Sequence, residues 1–313
     1  MLVDGVWRGK WDSVDADNLD AGAFRRKPSA FRDRVTADGD RDGFAAAPGR
    51  YHLYVAMVCP WACRTLMVRK VKRLDDCISY SVVEPALSDQ GWRFPAGGDP
   101  VNGAGYLHEL YSLADPHYSG RATVPVLWDK ERRTIVNNES AEIIRMLNST
   151  FDAYGDASVD LYPAPLRDEI DALNEQTYEG LNNGVYRAGF ASGQVAYDEA
   201  VGAVFRTLGA LEGRLEGRDF LVGDQLTEAD IRVFVTLIRF DVAYHGAFKC
   251  NLRKLVDYPN LWAYTRRIYN LPGIDETVNL ADIKRGYYSI PSVNPTGVVP
   301  VGPDLDMTAN LQA

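Results

Sequence analysis

The residues in this chain best placed to do chemistry are a cysteine and the proline after it, at the end of an apolar run: Tyr54-Val55-Ala56-Met57-Val58-Cys59-Pro60-Trp61-Ala62. The run reads as a short buried strand. Pro60 suits the first turn of a helix, where its missing N–H is no loss and its φ is already helical. Cys59 then falls at the helix N-cap, facing unpaired amides and the positive end of the macrodipole. Such a position favours thiolate over thiol and can bring a cysteine from a pKa of ~8.5 to roughly 3.5–7.5. A free cysteine is more often buried and inert, but strand, Cys, Pro and helix in direct succession point to a reactive thiol. Cys63 stands in a CxxxC rather than a CxxC spacing, so disulfide-reductase chemistry is not implied. Inside the first helical turn it is expected to face packing, with resolution of a mixed disulfide as the alternative. Cys77 and Cys250 have no motif around them.

The chain has 313 residues, enough for two domains that each bury a core. Net charge is −9 with no basic cluster, which argues against nucleic acid and for a soluble protein. The first ten residues are too charged for a signal peptide, and no apolar stretch approaches the roughly 18 residues needed to span a membrane. Four cysteines in this length make neither a disulfide framework nor a zinc site, so no metal is expected and the compartment is most simply a reducing cytoplasm.

Residues 1–48 are polar, with scattered aromatics (Trp7, Trp11, Phe24, Phe31, Phe44) and no periodic face. They are expected to form an N-terminal extension wrapped over the body or partly disordered. From residue 49 to 155 the pattern predicts strands at His52–Val58 and Ile78–Val83, a helix from Pro60 to about Leu74, and a loop over Gly91–Gly105. A short helix at Tyr106–Ala114, a hairpin of Thr123–Trp128 with Thr134–Val136, and a helix at Asn138–Leu147 complete it. The order β-α-β-α-β-β-α resembles a thioredoxin-like domain. Beyond Tyr162-Pro163-Ala164-Pro165 strand signals stop. An all-helical domain over 165–288 is expected, with helices at Leu166–Tyr186, Tyr197–Leu215, Glu228–Tyr244, Leu261–Tyr269 and Ile274–Lys284. Thr227 with Asp230 three residues on reads as a capping box, and Leu226 before it could staple to Ile231. Residues 289–313 carry Pro291, Pro295, Pro300 and Pro303 without periodicity, and read as an extended surface tail. A thioredoxin-like α/β half followed by an all-α half is similar to the glutathione transferase architecture.

In that setting Thr123-Val124-Pro125-Val126-Leu127 resembles the segment whose cis-proline faces the catalytic helix. A cis bond there would turn the Val124 backbone toward a cysteine-containing peptide; a trans proline at a strand start is the plainer alternative. Asn138-Glu139-Ser140-Ala141-Glu142 resembles the Glu-Ser pair that binds the γ-glutamyl end of glutathione. Ser140 and the exposed amides could hold its α-carboxylate and Glu139 its α-ammonium. Plain helix capping by Asn138 and Ser140 would use the same residues.

Six further details narrow the resemblance: Cys59-Pro60-Trp61-Ala62, Gly91-Trp92, Gly120-Arg121, Asn137-Asn138-Glu139-Ser140, Asn182-Asn183-Gly184-Val185-Tyr186 and Asn294-Pro295-Thr296-Gly297. Together they resemble the glutathionyl-hydroquinone reductases, the Xi class of glutathione transferases, from Trp7 to Pro303. The resemblance implies Cys59 as nucleophile and Trp92, Arg121, Val124, Glu139 and Ser140 as the glutathione site. It implies Tyr186 as the residue exchanging a proton with the quinol, and Tyr244 and Tyr287 as phenols directed at the sulfur that help lower its pKa. Tyr288 would join the substrate pocket. One departure is visible: the family commonly has histidine where this chain has Cys63. The implied partners are glutathione as co-substrate, or a related thiol, and glutathionylated quinols, with a homodimer as the family's habit.

The implied reaction reduces a glutathionyl-hydroquinone to the hydroquinone through a Cys59–glutathione mixed disulfide, which a second glutathione resolves to oxidised glutathione. A rival is an omega-like thioltransferase or dehydroascorbate reductase, which needs no proton donor such as Tyr186. A non-catalytic binding module on the same fold would have no reason to keep Cys, Val-Pro and Glu-Ser together.

Overall fold

The computed structural model describes residues 1–9, 19–40 and 43–308; Trp11 and the last residues of the C-terminal tail lie outside them. The chain divides into two compact units, one of Met1–Trp11 with Pro28–Asp160, the other of Asp12–Lys27 with Leu161–Ala313. Each unit therefore takes part of the first 48 residues.

The first unit is built on a four-stranded sheet. Strand β1 (Tyr51–Val55) is buried along its whole length, as a strand covered on both faces should be. It pairs in parallel with β2 (Ser79–Val82), with His52 opposite Ser79, and helix α1 (Pro60–Val71) makes the crossover. Strand β3 (Val126–Asp129) lies antiparallel to β1 and forms a hairpin with β4 (Thr134–Asn137), giving the order β4-β3-β1-β2. Helices α2 (Leu107–Ala114) and α3 (Ser140–Ser149) complete the unit, and α3 packs beside α1. The element order is the one expected for a thioredoxin-like domain. β1 ends at Val55, earlier than the apolar run suggests, because Ala56 opens a turn in which the Cys59 N–H bonds the Ala56 carbonyl at 3.0 Å.

The extension continues this sheet past β4. Arg32 bridges Asn137 antiparallel, Asp33 N–H donates to the Val136 carbonyl at 3.0 Å, and Asn138 N–H donates to the Phe31 carbonyl at 3.1 Å. The Arg32 guanidinium grips Glu142 on α3 through two bonds of 2.8 and 2.6 Å. Near the chain start Trp7 stacks on His108 of α2 at 4.6 Å.

The second unit contains α4 (Arg167–Thr177), α5 (Gly184–Gly189), α6 (Gln194–Arg214), α7 (Glu228–Arg239), α8 (Pro259–Tyr269) and α9 (Leu280–Tyr288). Three boundaries differ from the periodicity. The helix expected over Leu166–Tyr186 is broken by a wide turn at Tyr178–Asn182, closed by Asn183 N–H on the Tyr178 carbonyl at 2.8 Å. Gly180 permits it: a Cβ there would lie 2.1 Å from the Thr207 hydroxyl of α6. Asn182 rewards it, donating to the Arg232 carbonyl and the Thr236 hydroxyl of α7, each at 2.8 Å. The helix expected over Glu228–Tyr244 likewise gives way at Phe240–Tyr244 to a second wide turn, with His245 N–H on the Phe240 carbonyl at 2.8 Å. Such i→i+5 turns concentrate at functional sites. The helix expected over Ile274–Lys284 starts later, where Asn279 caps α9 by accepting from Asp282 N–H at 3.0 Å. This carries Tyr287 and Tyr288 inside the helix.

The Thr227–Asp230 capping box is present, and Asp230 is wholly buried. Burial raises its pKa, against the pull of hydrogen bonds from Leu221, Thr227 and Tyr264. The tail runs back along the unit: Lys284 Nζ donates to the Val301 carbonyl at 2.6 Å and Asn270 Nδ2 to the Met307 carbonyl at 2.8 Å. Among the described residues no helix is long and apolar enough to cross a membrane, and no cluster of three or more His, Cys, Asp or Glu could hold a metal.

Candidate active site

Cys59 occupies the N-cap of α1 in extended conformation (φ −81°, ψ 120°), with Pro60 at the first helical position. Its side chain makes no capping hydrogen bond to its own helix, and the residue is half-buried. The N-cap position places the residue at the positive end of the α1 dipole. The other three cysteines are buried. Burial raises the Cys77 thiol and pushes Cys250 up to about 12, which makes both inert.

The Val124–Pro125 bond is cis. The Cys59 Sγ lies 3.6 Å from the Val124 carbonyl, within reach of a thiol donor. At the start of α3 the cap is Glu139, not Asn138 or Ser140: its Oε1 accepts from Ala141 N–H at 3.2 Å. Its Oε2 accepts from the Ser29 hydroxyl of the extension at 3.0 Å. Ser140 takes the first helical position, buried, with its hydroxyl 3.5 Å from Nη1 of Arg64 on α1. Asn137 holds the Glu139 N–H at 2.7 Å.

A buried phenol ties these two edges together. The Tyr111 hydroxyl donates to the Thr123 carbonyl at 2.8 Å and accepts from Thr123 N–H at 3.1 Å and Asn138 Nδ2 at 3.0 Å. One oxygen therefore fixes the residue before Val124 and the residue before Glu139. Trp92 is half-buried in the loop before α2, and its carbonyl accepts Leu107 N–H at 2.9 Å. Gly91 ahead of it has φ +75°, and a Cβ there would press on the Trp7 ring at 3.2 Å. Arg121 is half-buried and its carbonyl accepts the Tyr118 hydroxyl at 3.0 Å.

In the second unit three phenols form one chain. The Tyr186 and Tyr287 hydroxyls lie 2.6 Å apart, and those of Tyr287 and Tyr244 2.9 Å apart. Tyr186 sits on α5 just after the first wide turn, Tyr244 ends the second, and Tyr287 lies in the last turn of α9. Phe248 packs against all three rings. Burial raises Tyr244 and Tyr287 well above the ordinary phenol value, with the buried Arg239 cation pulling the other way. Both therefore stay protonated at any working pH. In each of these two bonds either hydroxyl can be the donor, so the chain can run in the sense Tyr244 to Tyr287 to Tyr186. The Tyr288 hydroxyl lies against Gly246, where a Cβ would come within 1.9 Å of it.

Several residues here carry no signal of their own in the sequence. Ser29 and Arg26 come from the non-periodic extension. Tyr111 reads as a core position of α2. Asn183 caps α5 and belongs to the Asn182-Asn183-Gly184 run, where only the rarity of two asparagines before a glycine hints at a turn.

Known proteins are similar to this chain over most of its length. The N-terminal domain of the glutathione S-transferases matches residues 58–150 and their C-terminal domain residues 194–267. The glutathionyl-hydroquinone reductase PcpF of Sphingobium chlorophenolicum is 52% identical over 97% of this chain and 96% of its own. The glutathionyl-hydroquinone reductase YqjG of Escherichia coli is 51% identical over 98% of this chain and 96% of its own. The glutathione-bound structure of YqjG superimposes with a TM-score of 0.89 at 48% identity, covering 99% of this chain and 97% of that one. The chain belongs to the glutathione S-transferase superfamily and, within it, to the Xi-class glutathionyl-hydroquinone reductases.

Proposed function

We propose that this enzyme reduces glutathionyl-hydroquinones to hydroquinones at the expense of glutathione, with Cys59 as nucleophile and Tyr186 as proton donor. The substrate's sulfur sits on an aromatic carbon, and expelling an aryl carbanion would be prohibitively slow. Tyr186 first gives its proton to that ring carbon while the adjacent ring hydroxyl gives up its own, producing a keto tautomer; such general acid catalysis is typically worth about 10²–10⁴ in rate. The Cys59 thiolate then attacks the substrate sulfur. The carbon–sulfur electron pair returns through the ring to the ketone oxygen, which takes up a proton as the hydroquinone leaves, and a Cys59–S–S–glutathione disulfide forms. A second glutathione thiolate attacks that disulfide, releasing oxidised glutathione and the Cys59 thiolate. Cys63 is not needed.

Glutathione binding is supported by the glutathione-bound relative and by the donor set here. Val124 offers backbone to the cysteinyl portion, Glu139 a carboxylate to the α-ammonium, and Trp92, Arg121 and Ser140 the remaining contacts. Tyr244 and Tyr287 keep the donor loaded and, as the family resemblance implies, assist the thiolate; Tyr288 would line the quinol pocket. A cytoplasmic homodimer is the accompanying expectation, checked by fractionation and light scattering.

The observation that carries this reading is the phenol chain ending at Tyr186, which an omega-like thioltransferase has no use for. Mass spectrometry after exposure to glutathionyl-menadiol should find one glutathione adduct, on Cys59. Turnover of glutathionyl-menadiol should exceed that of hydroxyethyl disulfide. The reverse order of substrates would favour the thioltransferase, and an adduct on Cys63 would overturn the single-cysteine scheme.

A further inference from the structure

The extension follows α5 in the opposite chain direction. The Gly22 carbonyl accepts Ser192 N–H at 3.0 Å, and Phe24 meets Phe190 edge to face at 5.3 Å. Arg26 comes last. Its Nε donates to Oδ1 of Asn183, the cap of α5, at 2.9 Å. Its guanidinium carbon stands 4.7 Å from the centroid of the Tyr186 ring. One side chain from outside the helical body thus holds both the start of the helix that carries Tyr186 and the ring itself.

We propose that Arg26 is a positioning residue for the proton donor: it orients Tyr186 through the α5 cap and stabilises the phenolate that Tyr186 becomes when its proton leaves. The proposal rests on the reading of Tyr186 as proton donor. When the Tyr186 O–H breaks, a C–H bond forms at the sulfur-bearing ring carbon and the O–H electron pair stays on the phenol oxygen. That oxygen then carries a full negative charge in a buried site, where a nearby cation counts for more than in water. The cation–π geometry keeps the guanidinium at the ring both before and after transfer. Among the described residues the Tyr287 hydroxyl lies 2.6 Å from that of Tyr186, and the Tyr244 ring stands 6.1 Å from the Tyr186 ring. Burial keeps both neutral, and Arg239 exerts its charge on those inner phenols. They supply hydrogen bonds, while Arg26 supplies charge at the donor itself.

The test compares Arg26→Met, Arg26→Lys and Tyr186→Phe on glutathionyl-menadiol and on hydroxyethyl disulfide. Arg26→Met should slow glutathionyl-menadiol roughly three- to thirty-fold, the range for an acid weakened by loss of a neighbouring cation. Disulfide reduction, which needs no proton at carbon, should fall by less than about twofold on the same argument. The decline of kcat at high pH, where the donor has lost its proton, should move to higher pH in Arg26→Met and return in Arg26→Lys. Equal slowing of both substrates, an unmoved alkaline limb, or a lysine variant no better than methionine would each overturn the proposal. Should Arg26→Met fail to fold, Arg26→Gln keeps a donor for Asn183 without the charge and carries the same comparison. If Tyr186→Phe itself slows both substrates alike, the proton-donor reading falls; if Tyr186→Phe is selective and Arg26→Met is not, only the role of Arg26 falls.

Discussion

Each unit of this protein holds a buried phenol that joins separate segments, Tyr111 in one and Tyr287 in the other, and the two phenols keep different company. Among the described residues the Tyr111 hydroxyl in the sheet unit bonds groups that never titrate in water: the carbonyl, N–H and hydroxyl of Thr123 and the Asn138 amide. Tyr287 in the helical unit bonds only other phenols, Tyr186 and Tyr244. The first can hold two backbone segments at a fixed spacing and can do little else. The second can pass a proton along a chain of like groups at small cost. Under the proposed function, the sheet unit would fix where the thiol and its peptide lie, through backbone caps and strand edges, and the helical unit would keep a proton ready, through side chains drawn from three separate elements. Changes in the first unit should register in glutathione binding, and changes in the second in proton-dependent chemistry.

Cys59→Ser should have the largest effect and erase the distinction, because both substrates need the sulfur nucleophile and an alcohol is far poorer toward sulfur. Activity should be lost on glutathionyl-menadiol and hydroxyethyl disulfide alike, while Cys63→Ser retains most of both. Equal loss in the two variants would mean a dithiol mechanism and remove the sheet unit's claim to a single working thiol. Tyr186→Phe comes next and should restore the distinction. It deletes one hydroxyl, so kcat for glutathionyl-menadiol should drop by about 10²-fold or more while disulfide reduction persists. Equal slowing of both reactions would make Tyr186 a general part of the pocket.

The two units also differed in how far they could be read from sequence. Cys59-Pro60, Val124-Pro125 and the Thr227–Asp230 cap were legible because each is a local device: the groups that satisfy one another lie within a few residues. The element order of the sheet unit followed from its alternating apolar runs, helix signals and turns. Less legible were the wide turns at Tyr178–Asn182 and Phe240–Tyr244, which a 3.6-residue period reads as continuous helix. Their causes are non-local: Gly180 lying against Thr207, and Asn182 bonding α7. The extension was the least legible part, since it has no period to detect. Yet Ser29 reaches Glu139 across 110 residues and Arg26 reaches Asn183 across 157. That Tyr186 and Tyr287 would meet could be anticipated only from family resemblance, because 101 residues separate them.

Glu139→Ala and Ser140→Ala probe the sheet unit alone. Charge-assisted hydrogen bonds of roughly 1.5–3 kcal/mol predict about a ten- to hundred-fold rise in KM for glutathione, with kcat less affected. The contacts removed are made alike in ground and transition states, which is why KM should carry the change. Unaltered glutathione affinity by calorimetry would mean that the γ-glutamyl group binds elsewhere. Ser29→Ala should follow in the same direction with a smaller shift, since it removes a bond that steadies the Glu139 carboxylate and one to the Asn138 carbonyl but leaves both glutathione-facing groups in place.

The comparison is tested most directly by removing the same oxygen from each hub. In Tyr111→Phe the Asn138 amide, buried to 5% exposure, loses its partner. The Thr123 backbone loses two more bonds, although that residue is half-buried and water can replace them. A single unsatisfied buried donor predicts a loss of about 1–3 kcal/mol in urea unfolding. The Val124 and Glu139 edges would then be less firmly spaced, so KM for glutathione should rise by roughly two- to fivefold, a fraction of one hydrogen bond's worth. The kcat for glutathionyl-menadiol should stay near wild type, because the Tyr111 oxygen touches no reacting atom in the proposed chemistry. Tyr287→Phe should show the opposite pattern. It interrupts the phenol chain at its centre, so Tyr186 loses the hydrogen bond that would steady its phenolate. The kcat for glutathionyl-menadiol should fall while KM for glutathione holds. If the two variants produce the same pattern of KM and kcat, the hubs are equivalent packing tyrosines. The division between a unit that places the thiol and a unit that supplies the proton would then be wrong.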